Sequence, residues 1–236
     1  MTTLALLHTV GGLIPTFSAL CQEVMPDVDT FNMVDESLLR NTIQAGQLTP
    51  LTTRRVLEHI ASAEEAGADA VLVTCSSIGA AAELARKVVS IPVARVDEAM
   101  ADQAIATGSR VGVIATLSTT LEPTAALVRA RARLAGKAVD VQTLRCEGAF
   151  AALKRGETEI HDQIIADGLR AISAGVDVVV LAQASMARVA DTLSSGERIV
   201  PILTSPRSGV ARMRDVLSEG NRSCDFESDG GVPQHP

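Results

Sequence analysis

Cys75 is the residue of this sequence whose position best suits chemistry. It follows the apolar run Ala70–Val73, and it precedes Ser76 and Ser77 at the start of a helix-forming stretch. A helix N-terminus favours the thiolate form of cysteine, so this position predicts a general acid, a general base or a nucleophile. A cysteine that only packs in the core is the alternative interpretation.

The remaining cysteines form no motif with Cys75 or with each other. Cys21, Cys146 and Cys224 lie far apart along the chain, and no pair has the C-x-x-C spacing of zinc or redox sites. No G-x-G-x-x-G or Walker pattern is present either. The sequence therefore predicts no metal site, no nucleotide loop and no disulfide.

Small polar residues follow several of the predicted strands. Hydroxyl donors near helix N-termini can bind a carboxylate without help from lysine or arginine. The candidate substrate-binding residues are Thr9, Ser76, Ser77, Thr116, Ser118, Thr119 and Ser185. His8 ends the first strand at the same edge, and we expect it to line the site as a candidate proton donor.

Short β-like runs alternate with alanine-rich helical stretches. The predicted strands are Leu4–His8, Ala70–Val73, Ile91–Val96, Arg110–Ala115, Val139–Leu144, Val176–Leu181 and Ile199–Leu203. The predicted helices are Thr52–Ala66, Ile78–Val88, Asp97–Thr107, Thr119–Leu134 and Glu157–Ser173. This alternation is typical of an α/β fold with parallel sheets, whose ligands bind outside the carboxyl ends of the strands.

The sequence contains an internal repeat. Ala66–Ser77 matches Ala174–Ser185 in its Ala, Gly, Asp, Val and Ser residues, and Leu4–Thr9 lies against Val111–Thr116 in the same order. We therefore predict two similar α/β halves, residues 1–105 and 106–217, with the site in a cleft between them. The polar segment 218–236 is expected to be a disordered tail. In this alignment Gln183 takes the place of Cys75.

Composition excludes several classes of function. The chain has 236 residues and a net charge of −7, and only 2% of its residues are aromatic. An acidic chain with almost no aromatics on which bases could stack is not expected to bind nucleic acid. No apolar stretch approaches the roughly 20 residues of a membrane span, and no signal peptide is recognisable. We expect a soluble cytoplasmic protein without membrane partners.

These segments resemble the aspartate/glutamate racemase superfamily, which includes glutamate and hydantoin racemases, maleate isomerase and arylmalonate decarboxylase. Val71–Ser77 is similar to the family's first cysteine motif, and Val111–Thr116 with Thr119 is similar to the strand and turn that open its second half. Asp177–Leu181 leads to the position of the second cysteine motif. The resemblance covers about residues 4–215.

The resemblance implies two doubly wound halves related by pseudo-twofold symmetry and an enzyme that uses neither cofactor nor metal. A cysteine from each half would flank the carbon α to the carboxylate of a small acid, and the hydroxyl turns would bind that carboxylate. This chain departs from the pattern, because Gln183 stands where the second cysteine is expected. An amide cannot exchange a proton at neutral pH, and the hydroxyl of nearby Ser185 is too weakly acidic to act alone.

Several functions are compatible with one thiol. We expect an isomerase of the racemase superfamily, with Cys75, Gln183 and His8 in the catalytic site. The alternatives are a decarboxylase that protonates one face, an isomerase in which the thiol attacks a double bond, and a non-catalytic protein that binds a small carboxylate. A thiol hydrolase is disfavoured, since the sequence places no His or Asp beside Cys75. A homo-oligomer is compatible with the sequence.

Overall fold

Two four-stranded sheets form the framework of the structure, a computed structural model that describes residues 2–193 and 198–227. The strands are β1 (Thr3–His8), β2 (Asp29–Val34), β3 (Ala70–Val73), β4 (Val93–Arg95), β5 (Arg110–Ala115), β6 (Asp140–Arg145), β7 (Val178–Leu181) and β8 (Ile202–Thr204). The helices are α1 (Ile14–Val24), α2 (Glu36–Ala45), α3 (Pro50–Glu65), α4 (Gly79–Ala85), α5 (Glu98–Thr107), α6 (Ser118–Leu134), α7 (Ala149–Lys154), α8 (Thr158–Ser173), α9 (Ala187–Thr192) and α10 (Ser205–Glu227).

Both sheets are parallel throughout and share one topology. Their strand orders are β2-β1-β3-β4 and β6-β5-β7-β8. Leu7 pairs with Val73 in the first sheet, and Ile114 pairs with Leu181 at the equivalent place in the second. The predicted fold class, two similar doubly wound α/β halves with parallel sheets, is therefore confirmed.

The matching aspartates of the repeat have the same structural role in both halves. The Asp69 carboxylate accepts a hydrogen bond from the backbone N–H of Thr3 at 2.7 Å. The Asp177 carboxylate accepts one from the backbone N–H of Arg110 at 2.8 Å. Each aspartate fixes the start of the neighbouring central strand, which gives a physical reason for the repeated aspartate.

Each half packs a helix against the sheet of the other half. Met100 and Ala104 of α5 belong to the core around β5 and β7. Val210 and Met213 of α10 belong to the core beneath β1 and β3, where they meet Phe17 of α1. The chain thus crosses between the halves twice, once before α5 and once before α10.

Some elements differ from the sequence expectation. The sequence does not predict β2, an edge strand that pairs only with β1 and whose Asp, Thr and Asn residues break the apolar run. Helix α10 extends to Glu227, past the predicted boundary at 217. The disorder expected for 218–236 stays a prediction, and 228–236 lie outside the described residues. Within the described ranges, no helix is long and apolar enough to cross a bilayer.

Candidate active site

A cavity of about 590 Å³ lies between the halves, at the carboxyl ends of the strands. Its lining includes residues that follow β1, β3, β4, β5, β7 and β8, which is where ligands bind in open α/β sheets. The predicted site residues on its wall are Thr9, Cys75, Ser76, Ser77, Gln183 and Ser185. The topology therefore brings the two repeat-related positions, Cys75 and Gln183, to one cavity.

Cys75 and Gln183 have the same local backbone. Each precedes a single 3₁₀ turn that leads into a short helix, Ser76–Ile78 before α4 and Ala184–Met186 before α9. The backbone angles are φ −126° and ψ 116° at Cys75, and φ −128° and ψ 136° at Gln183. The repeat thus presents a thiol from one half and an amide from the other at equivalent positions.

Four donor groups lie around the Cys75 thiol. They are the hydroxyls of Thr9 and Ser77 and the backbone N–H groups of Ser77 and Ile78. These donors favour the thiolate, but burial has the larger effect and raises the pKa of Cys75 above its ordinary value. Burial thus opposes the effect of the helix N-terminus and favours the thiol form, which can donate a proton.

Gln183 is held in one orientation by Thr116. Its Oε1 accepts hydrogen bonds from the Thr116 backbone N–H at 2.6 Å and from the Thr116 hydroxyl at 2.9 Å. Since both donors meet the oxygen, the Nε2 end of the amide is left with no partner among the described residues. The Gln183 Nε2 therefore supplies two N–H donors to a ligand, but it cannot act as a general acid or base at neutral pH.

Two hydroxyls of the first half bind the second half at the cavity wall. Ser76 donates to the carbonyl oxygen of Ala182 at 3.2 Å. Ser77 and Thr120 share a hydrogen bond of 2.8 Å between their hydroxyl oxygens. These serines line the cavity as expected, and in addition they connect the halves around Cys75.

Three of the predicted hydroxyls lie off the cavity wall. Helix α6 begins after Leu117, and residues three apart share a helix face, so Leu117 and Thr120 line the cavity instead. Ser118 is exposed, and Thr119 is buried with its hydroxyl unpartnered among the described residues. Thr116 donates hydrogen bonds to Gln183 and does not line the cavity.

His8 lies behind the cavity wall, and its expected place in the site is not observed. Its Nδ1 lies 2.9 Å from the hydroxyl oxygen of Thr74, and its Nε2 lies 2.9 Å from Oδ1 of Asn32. The ring is fully buried and packs edge-on against Phe17. Burial lowers the pKa of His8. Both nitrogens are thus engaged within the first half, because Thr74 stands between His8 and the cavity.

Comparison with known proteins identifies the family. The sequence model that describes the Asp/Glu/hydantoin racemase family matches residues 12–213 of this chain. The chain belongs to the Asp/Glu/hydantoin racemase family. No curated protein sequence matches it.

Solved racemases share the fold of this family member. Glutamate racemase from Bacillus anthracis has a TM-score of 0.73 at 18% identity, with 93% of this chain and 82% of that chain covered. Allantoin racemase from Klebsiella pneumoniae has a TM-score of 0.67 at 19% identity, with 93% and 89% covered. Aspartate racemase from Picrophilus torridus has a TM-score of 0.66 at 13% identity, with 92% and 95% covered. At these identities the likeness establishes the architecture.

This racemase-family cavity also contains residues that the sequence did not single out. Helices α2 and α7 supply Leu39, Ile43, Phe150 and Leu153 to its wall, together with Arg40, Lys154 and Glu36. Signals for α2 were present in the sequence, since Asp35 caps its N-terminus and Gly46 follows its C-terminus at φ +70°. In the described part of the chain, no group of three or more His, Cys, Asp or Glu side chains converges as metal ligands would.

Proposed function

We propose that this protein is a cofactor-independent enzyme that transfers a proton at the carbon α to the carboxylate of an acid, with Cys75 as the proton carrier. Membership of the Asp/Glu/hydantoin racemase family supports the isomerase class. The observation that carries the proposal is the position of Cys75, which lines the cavity beside the hydroxyl donors Thr9 and Ser77. Those donors stabilise the thiolate left when the proton moves to carbon.

The substrate carboxylate would lie near the thiol. Donors available there are the hydroxyl of Ser185, which has no partner among the described residues, and the Nε2 of Gln183. Fixed donors stabilise negative charge that develops on a carboxylate when the α-carbon becomes a carbanion. Gln183 would therefore bind the enediolate, while Cys75 moves the proton.

A second candidate, decarboxylation, is favoured by the fixed amide of Gln183. A racemase needs proton carriers on both faces of the carbon, whereas this site presents a thiol from one half and an amide from the other. In decarboxylation the bond from the α-carbon to one carboxylate breaks and CO₂ leaves. The electron pair remains as an enediolate, Cys75 protonates it on one face, and water then reprotonates the thiolate.

The test is proton exchange at the α-carbon. The protein is incubated in D₂O with amino acids, hydantoins, hydroxy acids and substituted malonates, and the α-proton and CO₂ release are followed by NMR and gas analysis. We expect Cys75-dependent deuterium incorporation or CO₂ release, reduced about 10²-fold or more in Cys75→Ala. Cys146→Ala is the matched control, because Cys146 is buried outside the cavity.

The products separate the two candidates. Deuterium incorporation with inversion supports the isomerase, and CO₂ release with deuterium on one face supports the decarboxylase. Binding of panel members without exchange or CO₂ release contradicts both and points to a carboxylate-binding protein. Activity that survives in Cys75→Ala contradicts the role of the thiol.

A further inference from the structure

The cavity has an apolar section beyond its polar residues. Leu39 and Ile43 of α2 line it from the first half, and Phe150 and Leu153 of α7 line it from the second. All four side chains are partly exposed to the cavity or to solvent. Cavities of several hundred Å³ typically enclose molecules larger than an amino acid. At about 590 Å³, the space exceeds what a carboxylate and its α-carbon fill.

Two cations stand beside the apolar section, one from each half. Arg40 lies on α2 between Leu39 and Ile43, and Lys154 lies on α7 next to Leu153. Both are exposed, whereas the residues around Cys75 are buried or half-buried, so the cations lie at the opening of the cavity. Neither makes a side-chain hydrogen bond or an ion pair in the described part of the chain.

The acids close to these cations have other partners. Glu36 stands one helical turn before Arg40, but its carboxylate accepts from the backbone N–H of Gly11 at 3.4 Å. Glu157, three residues after Lys154, pairs with Arg155 at 2.7 Å. The charged residues on the cavity wall are thus two cations without ion-pair partners in the described part of the chain and one carboxylate, although the whole chain has a net charge of −7.

We infer that the cavity takes an acid with a second anionic group, separated from the reacting carboxylate by an apolar body. The reacting carboxylate lies near Cys75 and Gln183, the body packs between α2 and α7, and the distal anion binds Arg40 and Lys154. This inference names the substrate class of the proposed enzyme and rests on that function for its reacting end. Charged hydrogen bonds in a partly enclosed site are stronger than those on an open surface.

The test measures binding rather than turnover. Three probes compete with iodoacetamide for access to Cys75, and alkylation is followed by mass spectrometry. 4-Carboxyphenylacetate carries both anions and an aromatic body, 4-carbamoylphenylacetate replaces the distal anion with a neutral group of the same size, and succinate lacks the body. We expect 4-carboxyphenylacetate to protect Cys75 at concentrations about tenfold lower than either other probe.

Matched variants assign the preference to the two cations. In the double variant Arg40→Met/Lys154→Met, the two aromatic probes should protect equally. The control is Arg133→Met/Lys87→Met, which removes two exposed helix-end cations outside the cavity and should keep the preference. Thermal midpoints of both double variants report whether the fold is intact.

The outcomes also separate this inference from the proposed function. Equal protection by the charged and neutral aromatic probes in the unmodified protein overturns the inference, as does a preference that persists in Arg40→Met/Lys154→Met. If α-proton exchange occurs without a preference for the charged probe, the proposed function is supported and binding of a distal anion is contradicted. If the charged probe is preferred but neither α-proton exchange nor CO₂ release occurs, binding of a distal anion is supported and the proposed function is contradicted.

Discussion

At the scale of single residues, the site is an asymmetric pair on a symmetric backbone. Cys75 and Gln183 share backbone angles and precede equivalent turns, yet a thiol can transfer a proton and an amide can only form hydrogen bonds. Thr116 fixes the amide through its oxygen. The two equivalent positions therefore differ in side-chain type and not in backbone conformation.

The raised pKa of Cys75 predicts how its alkylation depends on pH. Because burial disfavours the charged thiolate, its fraction at neutral pH is small and increases as pH approaches the raised pKa. The rate of alkylation by iodoacetamide should rise through pH 9 without levelling off, as measured by mass spectrometry of the Cys75 peptide. Thr9→Val removes a donor to the thiolate, so its rate at pH 8 should be lower by about tenfold.

Thr124→Val is the control for that measurement. Thr124 is buried outside the cavity, and its hydroxyl has no partner among the described residues, so the change should leave the rate unaltered. A rate that levels off below pH 8 would show that the donors outweigh burial. Cys21 and Cys146 are buried outside the cavity, so iodoacetamide should reach them more slowly than it reaches Cys75.

At the scale of elements, a buried ion pair fixes the corner between β4 and α5 beside the cavity. Arg95 and Asp97 make two hydrogen bonds of 2.9 Å, and their side chains are 4% and 0% exposed. The guanidinium passes over Gly79, where an added Cβ would lie 2.4 Å from its Nε. Val96, between the paired residues, lines the cavity, so this corner sets part of the wall.

Asp97→Asn should destabilise the fold strongly. The substitution removes the bidentate carboxylate from the buried Arg95 guanidinium and leaves it the exposed carboxylate of Glu83, 2.6 Å away. We therefore expect a loss of about 3 kcal/mol in the free energy of unfolding, the lower end of the range for breaking a buried ion pair. Urea denaturation followed by circular dichroism measures this loss. Asp102→Asn is the control, because its pair with Arg131 is partly exposed and should contribute about 1 kcal/mol or less. Equal losses in the two variants would contradict a special role for the buried pair.

At the scale of the whole molecule, the exchanged helices α5 and α10 make the two halves one folding unit. Each sheet completes its core with a helix that is covalently attached beyond the last strand of the other half. Hydrogen bonds from Ser76 to Ala182 and between Ser77 and Thr120 connect the halves again at the cavity. The site and the core therefore depend on the same association of the halves.

This arrangement predicts one cooperative unfolding transition. Met213→Ala on α10 opens a cavity beneath the first sheet and should lower the free energy of unfolding by about 2–5 kcal/mol. Hydrogen exchange should increase in peptides from both β1 and β5, because the halves unfold together. Arg212→Ala, an exposed neighbour on α10, should change neither sheet. Faster exchange confined to β1 would show that the halves unfold separately.

Much of the framework could be predicted from local sequence. The strands Ala70–Val73 and Arg110–Ala115 have the predicted bounds, because buried parallel strands are continuous apolar runs. The repeat predicted two similar halves and set Gln183 against Cys75, since equivalent strands end at equivalent places. Edge strand β2 was not predicted, because it is half-exposed and its polar residues interrupt the apolar run that identifies a buried strand.

The sequence by itself determined the two-fold α/β framework, the family and the thiol–amide pair, because strand periodicity and strand-end residues are local properties. Only the tertiary structure decided that His8 lies behind Thr74, that Thr116 binds Gln183, and that α5 and α10 exchange partners. It also brought Arg40 and Lys154, far apart in the chain, to one opening. Burial and side-chain direction depend on how the halves pack, and those long-range contacts leave no periodic signal in the sequence.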